Sequence, residues 1–282
     1  MNRAELKSRA KGQIKGSVLI LFAMYLVYDL IVAAVSLLPF VPFMGAIIAL
    51  NNYAEAYAAT GEAAALILPL IIPIVIAVIV VTLVAPAFIF GFRRIFLNLA
   101  EDKKPTFGDL FAGFRSLKVW GKAIWLFITK EIFIALWALG GFAPGLAFFV
   151  FGGGRLDALA GIIFMVIGVI LAIAKAISYS QAFYVLVENP HISAKKALAE
   201  SKDIMGGRTW EVIKLALSFI LWILLIIVTA GIAAIWVVPY IQTTFANYYN
   251  SIKVGRVEAD RKLTPEEKAA KRAQKKKDKK YV

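Results

Sequence analysis

Four ionisable side chains lie inside long apolar runs: Asp29, Lys130, Glu131 and Lys175. They are the residues with the strongest claim to chemistry. A charge within a bilayer is expensive unless it faces protein, water or a partner of opposite sign. Two readings follow. The group forms a polar site for an ion, a proton or a polar substrate. Alternatively it forms structural pairs inside a helical bundle, with the lysines snorkelling to the membrane surface. Asp29 and Lys175 fall deepest in their runs and are the natural pair, whereas Lys130 and Glu131 lie nearer a charged end. Asp29, Glu131 and Lys175 together make the candidate intramembrane polar site.

Other chemistry is sparse. The chain has no cysteine, so it has no thiolate nucleophile, disulfide or cysteine-based metal site. A single histidine, His191, beside the Asn189-Pro190 turn, argues against a histidine metal centre. Ser180, Ser201 and Asp203 are isolated and do not compose a nucleophile, base and acid. The glycine-rich stretch from Phe151 to Arg155 lacks the lysine and hydroxyl residue of a phosphate-binding loop. No catalytic residue, metal ligand, cofactor-binding residue or cofactor is expected. Two polar and aromatic groups, Tyr179, Ser180, Gln181, Tyr184 and Asn189, then Tyr240, Gln242, Thr243, Thr244, Asn247 and Tyr248, either line a cavity or form hydrogen-bonding belts at the membrane surface.

The elements that must position these residues are helices in a membrane. Hydrophobic residues make up 61% of the 282, and uncharged runs cover 30–54, 63–92, 132–154, 158–174 and 215–252. A helix needs roughly 20 apolar residues to cross a bilayer, and only helices pair every backbone group within such a segment. The expected fold is all-α: a polytopic membrane bundle of six transmembrane helices in three hairpins, with amphipathic surface helices between them. The spans are expected at about 17–38, 64–90, 122–142, 158–187, 212–228 and 232–250. Pro69, Pro73 and Pro86 should kink span two or end its first turns, and span three should end near the GGFAPG stretch. The 38-residue run 215–252 is too long for one crossing, so Thr229, Ala230 and Gly231 mark a turn. Surface helices are expected at 3–15 (Leu6, Ala10, Ile14), 106–118 (Leu110, Phe111, Phe114, Leu117) and 192–205 (Ala194, Ala197, Leu198, Ile204). Thr106 and Asp109 have the spacing of a capping box. Residues 1–252 form one membrane domain, and 253–282 form a basic tail.

Charge sets the orientation. Six spans put four regions on one face, carrying five, seven, five and twelve Lys or Arg residues, 29 of the chain's 32, against Arg155 alone on the other. The positive-inside rule then places both termini in the cytoplasm of a cell-membrane protein. Each pair of spans also follows a basic amphipathic segment that meets the membrane past a glycine and a basic residue, a weak threefold pattern. The formal net charge of +14 points to anionic lipids near the basic loops and tail, and nucleic acid is not expected as a partner.

Certain stretches carry a family resemblance. The run SYSQAFYVLVENPHISAKKALAESKDIMGGRTWEVIKLALSFILWILL, followed by TAGIAAIWVVPYIQTTFANYYNSI, closely resembles the bacterial DUF975 membrane-protein family. NRAELKSRAKGQIKGS resembles its opening, and FGFRRIFLNLAEDKKPTFGDLFAGF resembles its glycine-to-leucine exit and P-x-F-x-D-L-F-x-G-F segment. The resemblance covers about 1–252 and is most specific over 178–249. It implies an integral membrane protein of uncharacterised role and transfers no catalytic residue.

The function expected from these features is non-enzymatic: envelope maintenance or a membrane scaffold, with a membrane-protein partner or a second copy of the chain. The alternatives are a small transporter or exporter component built on the polar intramembrane site, and a lipid-handling protein.

Overall fold

A computed structural model describes residues 2–35, 37, 44, 45 and 64–262. Most of the 39–62 connection and the tail beyond Lys262 lie outside the described residues. The protein is an all-α, multi-pass helical bundle. Among the described residues, five helical stretches are long and apolar enough to cross a membrane: Val18–Val35, Ile71–Ala100, Leu117–Phe151, Arg155–Glu188 and Thr209–Val228.

Helix α1 (Arg3–Ile14) starts where the Asn2 side chain accepts a hydrogen bond from the Ala4 N–H at 3.0 Å. Its residues Leu6, Ala10 and Ile14, one turn apart, are buried. Gly16, at φ +84°, turns the chain into α2 (Val18–Val35). One face of α2 packs on α3 (Ala64–Ala100): Tyr25 stacks on Phe92 at 4.7 Å and Tyr28 meets Phe88 edge-on at 5.3 Å. The opposite face, with Leu26, Asp29 and Leu30, is exposed. Helix α3 is 37 residues long, about 55 Å at the usual rise. It continues through Pro69, Pro73 and Pro86 rather than ending at them.

The surface helix expected at 106–118 is not formed as one element. The segment folds into a single turn, α4 (Phe107–Leu110), and a 3-10 turn at Ala112–Phe114. Its apolar residues do not share a face: Leu110 is buried, whereas Phe111 and Phe114 bracket the Phe88 ring. The physical reason is close approach to α3. A Cβ at Gly113 would lie 2.6 Å from Ala87 Cα, and one at Gly91 would lie 2.7 Å from the Leu110 carbonyl carbon. The glycines let two backbones touch, and a regular amphipathic helix could not follow that path.

Helix α5 (Leu117–Phe151) also outruns its expected end. It passes through GGFAPG with Pro144 inside it, and only Gly152–Gly154 connect it to α6 (Arg155–Ser178). The two helices form a long hairpin on a glycine seam. A Cβ on Gly145 would sit 2.9 Å from the Gly161 carbonyl oxygen, and one on Gly168 would sit 2.8 Å from the Ala138 oxygen. Small residues at the contact are how membrane helices gain van der Waals packing where the hydrophobic effect is absent.

The fourth and fifth expected spans are each broken. A turn at Tyr179–Gln181 separates α6 from α7 (Ala182–Glu188). Ser201 enters this break, donating to the Ser178 carbonyl at 2.9 Å and accepting from the Gln181 N–H at 3.2 Å. It belongs to α8 (Ala194–Met205), which is capped by Ser193 and buries Ala194, Ala197, Leu198, Ser201, Ile204 and Met205. Helix α9 (Thr209–Leu217) stops at Ser218, whose hydroxyl bonds the Leu215 carbonyl at 2.6 Å, and α10 (Ile220–Val228) resumes the path. The chain then turns where expected, with Ala230 at φ +49° and Gly231 at φ +92°. The last helix, α11 (Ala234–Lys262), contains Pro239 and extends past the expected end at 250.

The buried core sits at one end of the bundle. It gathers α1, the last turns of α3, the first turns of α5, and α7, α8, α9 and α11. The other end, made of the first part of α3, most of α5, α6 and α10, exposes its Ile, Leu, Val and Phe side chains.

Candidate functional site

The three members of the expected polar site occupy different surroundings. Asp29 is exposed on α2. Glu131 on α5 pairs with its neighbour Lys130 at 3.0 Å. Lys175 on α6 lies over the Trp137 ring of α5, 3.9 Å from its centroid, a cation-π contact within the α5/α6 hairpin. Among the described residues no ion pair joins Asp29 to Lys175.

A denser polar arrangement sits in the buried end, where α3, α7 and α11 meet. Arg93 donates to the Gln242 side chain at 2.9 Å and to the Tyr184 hydroxyl at 3.2 Å, and its guanidinium lies 4.9 Å from the Tyr184 ring centroid. Tyr184 stacks on Tyr249 at 5.1 Å. The Tyr249 hydroxyl donates to Glu188 at 2.7 Å, and Lys253 closes on the same carboxylate at 2.6 Å. One cation from α3 and one from α11 therefore bracket two stacked tyrosines and a carboxylate.

Gln13 ties α1 to the same end. Its amide nitrogen donates to the Ala100 carbonyl at 3.1 Å and to Asp102 at 3.0 Å, and its oxygen accepts from Asn247 at 2.7 Å. Asp109 forms a second buried knot. It accepts from Arg94 at 2.8 Å, from Asn98 at 3.3 Å, and from the Thr106 hydroxyl at 2.8 Å and backbone N–H at 3.3 Å. The carboxylate half of the expected capping box is present, and its larger use is to fasten the 105–114 segment to α3.

The polar and aromatic stretches picked out in the sequence divide. Tyr184, Gln242 and Asn247 enter the buried cluster, and Tyr248 reaches Glu211 at 3.4 Å. Ser180 and Thr244 bond carbonyls of their own helical turns. Arg93 is the residue that sequence reasoning passed over. A pair of arginines inside the otherwise apolar GFRRIF stretch is the available signal, and by sequence alone it reads as flanking charge. The glycine-rich turn after α5 holds no open anion cradle: Asp157 accepts from the Gly153 and Gly154 N–H groups, each at 3.1 Å. No group of three or more His, Cys, Asp or Glu residues among the described residues is arranged to hold a metal ion.

Long apolar helices, a core confined to one end and ion pairs at the helix termini define a multi-pass, all-α protein of the cell membrane. The chain belongs to the bacterial DUF975 family, described as proteins of unknown function, whose match runs over residues 1–255. No curated protein and no solved structure matches it.

Proposed function

We propose that this is a non-enzymatic membrane scaffold that engages another membrane segment through the free face of α2. Six crossings in three hairpins, with α11 as the sixth, keep both termini in the cytoplasm. The observation that carries this reading is Asp29. It shares an exposed face with Leu26 and Leu30, which lie three residues before and one after it. A carboxylate on a lipid-facing surface is costly, and a hydrogen-bonding group on a neighbouring membrane helix relieves that cost. The other charges within apolar helices are answered locally, Lys130 by Glu131 and Lys175 by Trp137. That pattern supports a packed bundle over a transport path. The basic face toward the anionic leaflet supports lipid contact as well.

A photo-crosslinking residue at Leu30, in cells producing the full chain, tests the reading. A discrete protein adduct, either a second copy or one other membrane protein, is expected, and Asp29→Leu should abolish it. Adducts to lipid alone, or a protein adduct indifferent to Asp29→Leu, would contradict it.

A further inference from the structure

A basic cleft opens where α1 crosses the break between α9 and α10. It is lined by Asn2, Arg3, Ala4, Lys7 and Ser218, with a volume of about 460 Å³. Arg3 and Lys7 lie one helical turn apart and point the same way. Each is pinned from below by a backbone carbonyl: Arg3 by that of Lys214 at 3.4 Å and Lys7 by that of Ser218 at 2.7 Å. The Lys7 ammonium also rests 4.1 Å from the Phe219 ring centroid. Lys11, the next turn along, lies 5.5 Å from the ring centroids of Trp222 and Tyr240.

Among the described residues no carboxylate forms an ion pair with Arg3, Lys7, Lys11 or Lys214, although Arg9, on another face of α1, has Asp102 at 3.7 Å. Burial first, then the nearby charges of Arg3 and Lys11, hold the Lys7 ammonium below its usual range. Crowded cations without a counter-charge favour an anion. The surroundings define which anion. Leu217, Ile220 and Leu221 are exposed on the same membrane-length stretch that contributes Ser218 to the cleft. A ligand held between the two cations and Ser218 has exposed apolar side chains within one helical turn of it.

We propose that this cleft binds the phosphate of an anionic phospholipid, with Arg3 and Lys7 on the headgroup and the acyl chains along Leu217, Ile220 and Leu221. Ser218 contributes by ending α9, which turns a carbonyl toward Lys7 and fixes the ammonium beside that membrane-length stretch. The inference stands apart from the α2 contact and needs no partner protein.

The test uses the purified full-length chain in a neutral detergent, with native mass spectrometry reading retained lipid. Short-chain phosphatidylglycerol, short-chain phosphatidylcholine and inorganic phosphate are the probes. The wild-type chain should retain phosphatidylglycerol in preference to phosphatidylcholine. Arg3→Gln with Lys7→Gln should weaken retention about thirtyfold, from the contribution of two basic groups at a membrane surface. Arg3→Lys with Lys7→Arg keeps both charges and should restore most of it, which separates lost binding from lost folding. Arg155→Gln, at the opposite end of the bundle, should leave retention unchanged. Equal retention of the two lipids, equal loss in the Arg155→Gln variant, or no rescue by the charge-keeping pair would overturn the proposal. Displacement of the lipid by an equal concentration of inorganic phosphate would assign the cleft to free phosphate instead, and would also overturn it.

Discussion

The two ends of the bundle are held together by different means. At the buried end, large side chains close on one another: Tyr184, Tyr240, Tyr248, Tyr249, Phe90 and Phe96 are almost wholly inaccessible. Polar groups are admitted there in partnered sets, such as Arg93 with Tyr184 and Gln242, or Asp109 with Arg94, Asn98 and Thr106. At the apolar end the α5/α6 hairpin has few buried residues, and those on its seam are mainly glycines. The two means are those that water and lipid respectively favour. In water, burial of apolar area drives association. In lipid that drive is gone, and helices hold by close backbone approach.

Substitutions can break this comparison. The largest effect is expected at Asp109. Asp109→Ala removes the partner of Arg94 and frees the 105–114 segment from α3. It should cost about 3 kcal/mol, the lower end for one member of a buried pair, because the Arg94 side chain is partly exposed. Reversible unfolding of the protein in bicelles would measure it. A loss under about 1 kcal/mol would mean that the knot does not hold the buried end.

Gly168→Ala probes the other end. The added methyl would meet Ala138 and Phe142, so the hairpin must spread, at about 1–3 kcal/mol. A neutral result in the same assay would show that the seam does not depend on backbone approach.

Tyr249→Phe removes the hydroxyl from Glu188 but leaves Lys253 in place, so the expected loss is smaller, about 1–2 kcal/mol. Ile163→Ala, on the exposed face of α6, should change stability by less than about 0.5 kcal/mol, since that side chain is 59% exposed. An effect as large as that of Gly168→Ala would mean that another protein segment covers this face.

The sequence makes some of this legible. Long uncharged runs and the confinement of basic residues to alternate connections are properties of single residues added along the chain, and they mark a multi-pass helical protein directly. The stripes Leu6, Ala10, Ile14 and Ala194, Ala197, Leu198 likewise mark helices by local spacing. The breaks at Tyr179–Gln181 and Ser218–Phe219 are another matter. The first depends on Ser201, 20 residues from Gln181 and 23 from Ser178 in the chain, entering the gap. The failure of 106–118 to form one helix depends on its approach to Gly91, which no local pattern contains. The Arg93 cluster is illegible for a related reason. Asp29 and Lys175 are each unusual within their own apolar runs, whereas Arg93 reads as ordinary flanking charge and gains its partners only where α7 and α11 close around it.

Orientation gives the most direct test. Because the chain has no cysteine, single substitutions report without background. Gly153→Cys, in the exposed turn between α5 and α6, should react with a membrane-impermeant maleimide on intact cells. Lys104→Cys, exposed after α3 at the basic end, should react only after permeabilisation. Labelling of Lys104→Cys on intact cells, or protection of Gly153→Cys until the membrane is opened, would contradict the placement of the packed, basic end in the cytoplasm.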